Sequence, residues 1–184
     1  KKPLIISVGN LIKEKNHECL IRAMKNVPAN CLIIGKGVEF ENLLKLIKRE
    51  KLEGKITIID SVPHSEIQNY FKSAKVFALA YDPHLEGLPM PVMEAMATGI
   101  PVVIPNTIKE FSDGLENIAV FADRTPKSFA EKISKLLDDN EFLFEAALYN
   151  LNTLEYLSER LKNNKLFFDK LINFDPSNIE KILY

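Results

Sequence analysis

The sequence predicts an α/β protein, a doubly wound, Rossmann-like parallel sheet carried by a single domain with additional C-terminal helices. Two observations predict it. Short, continuous apolar runs rich in branched side chains recur along the chain, and the segments between them repeat their apolar residues with helical spacing. Continuous apolar strands are those buried on both faces, as in a parallel sheet. Alternation of strand and helix then implies right-handed crossovers and helices on both faces.

The runs, in order, are Leu4 to Val8, Cys31 to Ile34, Ile56 to Ile59, Val76 to Ala80 and Pro101 to Ile104, with a weaker sixth from Ile118 to Phe121. Lys1-Lys2-Pro3 gives the first run a basic, signal-peptide-like start. No small-residue cleavage site follows, so a buried first strand and an abrupt domain start are expected. Between the runs, His17 to Asn26 carries Cys19, Leu20, Ala23 and Met24 near one face. Glu39 to Lys51 sets Leu43, Leu44 and Ile47 on one stripe, and His64 to Ala74 points Ile67, Tyr70 and Phe71 inward. Pro91 to Thr98 is short and apolar and stops at Gly99, as a glycine-terminated helix does. Pro126 to Leu137 is amphipathic, with Thr125 as its cap and Pro126 in its first turn. Beyond it, Glu141 to Lys170 reads as helix apolar enough to need a partner surface, and Asn178 to Tyr184 as a last helical turn. The expected division is residues 1–184 as one domain, with a core over about 1–140 and C-terminal helices over 141–184.

Composition bounds the function. The 184 residues are 46% hydrophobic and 27% charged, with a net charge of -1. That is ordinary for a soluble globular protein and argues against a nucleic-acid partner, while leaving room for a local phosphate site. No apolar run approaches the ~20 residues that span a bilayer. Cys19 and Cys31 form no CxxC and read as reduced, buried thiols, which points to a cytoplasmic protein. His17, His64 and His84 lie in separate segments, so no metal triad is expected.

In an open α/β sheet the ligand sits beyond the carboxyl ends of the strands. The loops there hold Gly9-Asn10 through Lys15-Asn16, Gly35-Lys36-Gly37, Asp60 to His64, and Tyr81 to Met90. Every glycine before residue 99 except Gly54 falls in them, where a ligand needs close approach. The fourth loop enters the helix at Pro91 with Gly87 just upstream, a start suited to phosphate. Glu86 stands on that loop and Glu94 on that helix, among Val92, Met93, Ala95, Met96 and Ala97. A solvent-facing helix edge explains Glu94 locally; a carboxylate accepting from ribose hydroxyls is the functional alternative. Lys15 is placed to neutralise a diphosphate better than Lys13. The lone GxG at Gly35 is not a dinucleotide fingerprint, and there is no Walker motif. His84, two residues before Glu86, lies at the edge of this site.

Together these residues resemble the family-4 glycosyltransferases, the retaining enzymes of two-domain GT-B architecture. Val8-Gly9-Asn10-Leu11-Ile12-Lys13-Glu14-Lys15-Asn16 is similar to that family's VGRLxxxKG loop, and Ile34-Gly35-Lys36-Gly37 to its IGxG turn. Glu86 to Val103, EGLPMPVMEAMATGIPVV, resembles EGFGLPxxEAMAxGxPVV, and the likeness covers about residues 4 to 140. The resemblance implies that Glu94 binds the ribose of a nucleotide sugar, such as a UDP- or GDP-hexose. Glu86 would contact the donor sugar beside the reacting carbon as the catalytic carboxylate. Gly87, Leu88, Pro89 and Met90 would line sugar and phosphate, Lys15 would hold the diphosphate, the base would rest near Gly35 and the Val62-Pro63-His64 loop, and Gly9, Asn10 and Gly37 would complete the nucleotide-sugar site. No cofactor and no metal are implied.

The chain departs from that pattern in three places. Asn10 replaces an arginine, so one phosphate cation is missing; either the donor site is weaker, or Lys13 or a residue of the missing half compensates. The GFG is compressed to Gly87-Leu88-Pro89-Met90, and Asn16 stands where glycine is common. The family's N-terminal acceptor domain is not in this chain, so an excised domain or one half of a split enzyme is expected, weakly active alone. Peripheral contact with the inner membrane face would come through that missing domain, and the C-terminal helices would pack on it or form a homodimer. A non-catalytic nucleotide-sugar-binding module and a sugar-nucleotide epimerase-like domain are the alternatives.

Overall fold

The structure, a computed structural model, describes residues 2–106 and 119–138. Six strands form one sheet: β1 (Leu4–Val8), β2 (Asn30–Ile34), β3 (Ile56–Ile59), β4 (Val76–Ala78), β5 (Val102–Pro105) and β6 (Ala119–Ala122). All pair in parallel, in the order β3-β2-β1-β4-β5-β6. The helices are α1 (His17–Ala23), α2 (Phe40–Arg49), α3 (His64–Ser73), α4 (Met90–Ala97) and α5 (Pro126–Asp138). This is the doubly wound fold that the apolar runs predict. The segments Glu141 to Lys170 and Asn178 to Tyr184 lie outside the described residues.

The sheet separates two cores, and strand residues alternate between them as the pleat requires. Ile5, Ala78 and Val103 join Leu20, Met24, Leu43, Ile47, Phe129 and Ile133 under α1, α2 and α5. Ile6, Phe77 and Val102 join Ile67, Phe71, Val92 and Met96 under α3 and α4. Phe71 and Phe77 meet edge to face, ring centroids 5.9 Å apart, and both are fully buried. Truncating either to alanine removes a side chain of the kind that costs about 3–5 kcal/mol.

Small boundary shifts have local causes. β5 begins at Val102 because Pro101 has no N–H to give the ladder; its carbonyl accepts from Phe77 instead. α4 begins at Met90, which puts Pro91 where a helix has no use for an N–H. Gly99 follows the helix with φ 77, the left-handed stop. Asn16 is also left-handed, with φ 49, and its side chain accepts from the Cys19 N–H to cap α1. Asparagine is the side-chain-bearing residue that visits this region most readily, so it serves where glycine would and adds a cap.

From β1 the chain winds outward through β2 and β3, then returns to place β4 on the other side of β1. The loops after β1 and β4 therefore leave in opposite directions and open a crevice between them. That reversal is the ligand position of doubly wound sheets.

Candidate functional site

The crevice is a cleft of about 380 Å³ lined by Gly9, Asn10, Lys15, Gly35, Val62, Glu86, Met90 and Glu94, together with Lys36, Ser61, His64 and Pro91. Three loops and one helix start build it. A larger groove, about 560 Å³, lies between the first loop, α1 and α2, and holds Lys13, Glu39, Lys45 and Arg49. We place the chemistry in the smaller cleft, because the residues singled out by sequence converge there.

Lys15 ends a 3₁₀ turn, Lys13–Lys15, closed by hydrogen bonds from the Lys15 N–H to Ile12 and from the Asn16 N–H to Lys13. Such a turn rotates each residue by about 120°, so Lys13 and Lys15 face different ways. Lys13 opens onto the larger groove and Lys15 onto the cleft. Lys13, expected to stand in for an arginine at Asn10, thus faces the larger groove in this structure; Lys36, between two glycines, is the other lysine on the cleft wall. The Lys15 side chain is only 10% exposed, and its ammonium forms an ion pair with Glu86.

Glu94 owes its place to helical geometry. Met90, Pro91 and Glu94 fall at i, i+1 and i+4, on the side of α4 that lines the cleft, while Val92, Ala95 and Met96 are buried in the core. The Glu94 side chain is 22% exposed, with His64 Nδ1 3.8 Å from Oε1. Burial pushes its carboxyl above the ordinary range, against a smaller opposing pull from His64. A half-buried carboxylate with one distant partner has free acceptor capacity, which hydroxyl groups can fill.

The glycines divide by role. A Cβ on Gly9 would meet only the Lys15 stem at 3.7 Å and His17 at 3.8 Å, ordinary contacts. A Cβ on Gly35 would fall 2.0 Å from the Gly9 carbonyl oxygen, and one on Gly37 2.4 Å from that of Leu11. Gly35 and Gly37 thus let the second loop press against the first, fixed by hydrogen bonds from Leu11 N–H to Lys36 and from Glu39 N–H to Leu11. Gly37 serves that packing and does not line the cleft. Nor do Gly87, Leu88 and Pro89: Leu88 packs against the α3–α4 core, and Pro89 is the buried residue from which α4 starts. Of that segment, Met90 reaches the cleft.

Sequence patterns missed a second layer. Asp82 donates its N–H to Glu14, and its carbonyl accepts from both Leu85 and Glu86. Its carboxylate accepts from the His84 N–H and from Arg124, which also donates to the Ala80 carbonyl at the end of β4. The His84 N–H, with help from Arg124, holds the Asp82 carboxyl below its usual range. His84 itself is exposed. No group of three or more potential metal ligands occurs among the described residues, and none of their helices is long and apolar enough to cross a membrane. Cys19 and Cys31 are buried free thiols, pushed up by burial to about 11 and about 12.

Residues 1–150 match the family described as glycosyl transferases group 1. An uncharacterized glycosyltransferase of Haemophilus influenzae is 28% identical over 149 residues, 77% of this chain and 41% of that protein. The amylovoran biosynthesis glycosyltransferase AmsD of Erwinia amylovora is 34% identical over 106 residues, 56% of this chain and 29% of its own length. Among solved structures, Anabaena HepE in complex with UDP superposes with a TM-score of 0.77 at 18% identity, over 94% of this chain and 49% of that one. The chain spans less than half the length of these proteins.

Proposed function

This chain belongs to the glycosyl transferases group 1 family, and from that premise we propose that it is the nucleotide-sugar-binding domain of a retaining, two-domain glycosyltransferase. The observation that carries the reading is the meeting of Lys15, Glu86 and Glu94 in one glycine-floored cleft at the point where the sheet reverses direction. Lys15 takes the diphosphate, Glu94 the ribose hydroxyls and Glu86 the hydroxyls of the sugar next to C1. The base lies along Gly35 and Val62. The bond from C1 to the diphosphate breaks with its electron pair on the leaving oxygen, and Lys15, its side chain only 10% exposed, stabilises that charge. The acceptor's hydroxyl oxygen takes its place on C1, and the hydroxyl proton passes to the departing diphosphate. Lys15 fills the electrostatic role without a metal.

The acceptor site belongs to a second domain, a reading supported by the larger size of the relatives. UDP bound to HepE favours a nucleoside diphosphate sugar as donor. A homodimer through the segment after residue 138 is the alternative.

Titration calorimetry with UDP, GDP and ADP and their hexose conjugates tests the donor site. Binding of at least one at micromolar to millimolar concentration is expected; binding of none at millimolar concentration sinks the reading. Glu94→Ala should weaken the ribonucleotide about tenfold or more, the worth of a hydrogen bond to a charged acceptor, while leaving its 2′,3′-dideoxy analogue unchanged. Equal losses for both would show that Glu94 does not hold the ribose.

A further inference from the structure

Arg124 and Asp82 lie outside the cleft, yet they connect three strand ends that meet there. Arg124 stands between β6 and α5, where Thr125 caps the helix through the Ser128 N–H. From that anchor its Nη1 donates to Asp82 Oδ2 at 2.9 Å and its Nε to the Ala80 carbonyl at 3.3 Å, in the segment just after β4. Asp82 is the hub of the loop beyond. Its Oδ1 takes the His84 N–H at 3.0 Å, and its carbonyl takes the N–H groups of Leu85 at 3.2 Å and Glu86 at 3.1 Å. Its own N–H reaches the Glu14 carbonyl at 2.9 Å, one residue before Lys15. One residue thus sets the backbone from which Glu86 enters the cleft and is tied to the turn that carries Lys15.

We propose that Asp82 and Arg124 are positioning residues for the Lys15–Glu86 pair: Arg124 fixes the Asp82 side chain, and Asp82 fixes the two loops that present the lysine and the glutamate. The proposal rests on the reading of the cleft as a donor site. A brace of this kind matters for a cleft made of loops, because each loop end is otherwise free to shift by more than reactive geometry tolerates. Arg124 spreads two donors of its planar fork over two acceptors, the Asp82 side chain and the Ala80 main-chain carbonyl, a fixed spacing that lysine's single ammonium does not have.

The brace acts on Glu86 and Lys15, whereas Glu94 sits on α4, outside it. That difference gives the test. Affinities of the chain for UMP, UDP and UDP-glucose, and for GMP, GDP and GDP-mannose, are measured for wild type, Arg124→Ala, Arg124→Lys and Asp82→Asn, with the melting midpoint of each. Asp82→Asn is isosteric and keeps an acceptor for the His84 N–H, so it is the milder of the two changes and the melting midpoint reads whether each variant is folded. Both Arg124→Ala and Asp82→Asn should weaken the sugar conjugate about five- to tenfold relative to the monophosphate, with Arg124→Lys intermediate. Combining either with Glu86→Gln should give less than the sum of the two effects, because part of the effect runs through Glu86 and the rest through Lys15. Uniform weakening of every ligand, in step with the melting midpoint, would make the pair a fold stabiliser only and overturn the proposal, as would no change. If wild type binds none of the six and none of their adenosine counterparts, the donor-site reading itself fails.

Discussion

Lys15 and Glu86, 71 residues apart in sequence, are joined as an ion pair across the cleft, with the lysine side chain 10% exposed and the glutamate 40%. Both are assigned to the donor, one to its diphosphate and one to its sugar. An arriving diphosphate must therefore compete with Glu86 for the same ammonium.

The competition predicts an unequal response. In Glu86→Gln, Lys15 loses its anionic partner and becomes available to phosphate. Affinity for bare UDP or GDP should rise about tenfold, the size of one charge-assisted hydrogen bond, while discrimination in favour of the sugar conjugate falls. Calorimetry of the two ligand types on wild type and variant reads both. Unchanged or weaker diphosphate binding would show that the pair is not displaced by the donor.

His17 predicts an acid sensitivity. The imidazole is 2% exposed beneath the first loop, with Ser7 Oγ 3.4 Å from Nδ1 and Nε2 turned to the Gly9–Asn10 main chain. Burial lowers its pKa from 6.5 to about 4. Between those values the unfolded chain binds a proton that the folded chain refuses, so stability falls as pH drops from 6.5 towards 4 and is level above 6.5. The full shift corresponds to roughly 3 kcal/mol. His17→Gln should flatten that part of the profile, measured as denaturation midpoints of both proteins from pH 4 to 7. Parallel profiles would mean that His17 does not titrate in this way.

The glycines predict opposite signs. Gly35→Ala forces a methyl to within 2.0 Å of the Gly9 oxygen and should destabilise by about 2–3 kcal/mol or more. Gly54→Ala meets nothing within 4 Å and should stabilise by about 0.4–1 kcal/mol through the unfolded chain. Thermal melts of the two variants decide; a tolerated Gly35→Ala would show that the two loops can part.

Much of this molecule is legible in its sequence because the relevant information is local. Apolar runs mark the strands, helical stripes mark α2 and α5, and the linear motif from Glu86 to Val103 marks both carboxylates. What was not legible depends on distances between remote segments. Nothing in the spacing of Lys13 and Lys15 says that a 3₁₀ turn sends them into different grooves. Gly37 reads as a ligand glycine until the Leu11 carbonyl is found against it. Arg124 reads as a surface arginine, since its partners are 42 and 44 residues away.

Leu11 has both its main-chain groups engaged by the second loop, its N–H by Lys36 and its carbonyl by Glu39. The first two loops are consequently one heritable part. Donor preference cannot be re-engineered by exchanging either alone, since a foreign loop would arrive without its mate. The third participant, the loop from Asp82 to Met90, meets the first at the Glu14 carbonyl and at Lys15, so its graft must keep a donor and a carboxylate for those two as well as an acceptor for Arg124.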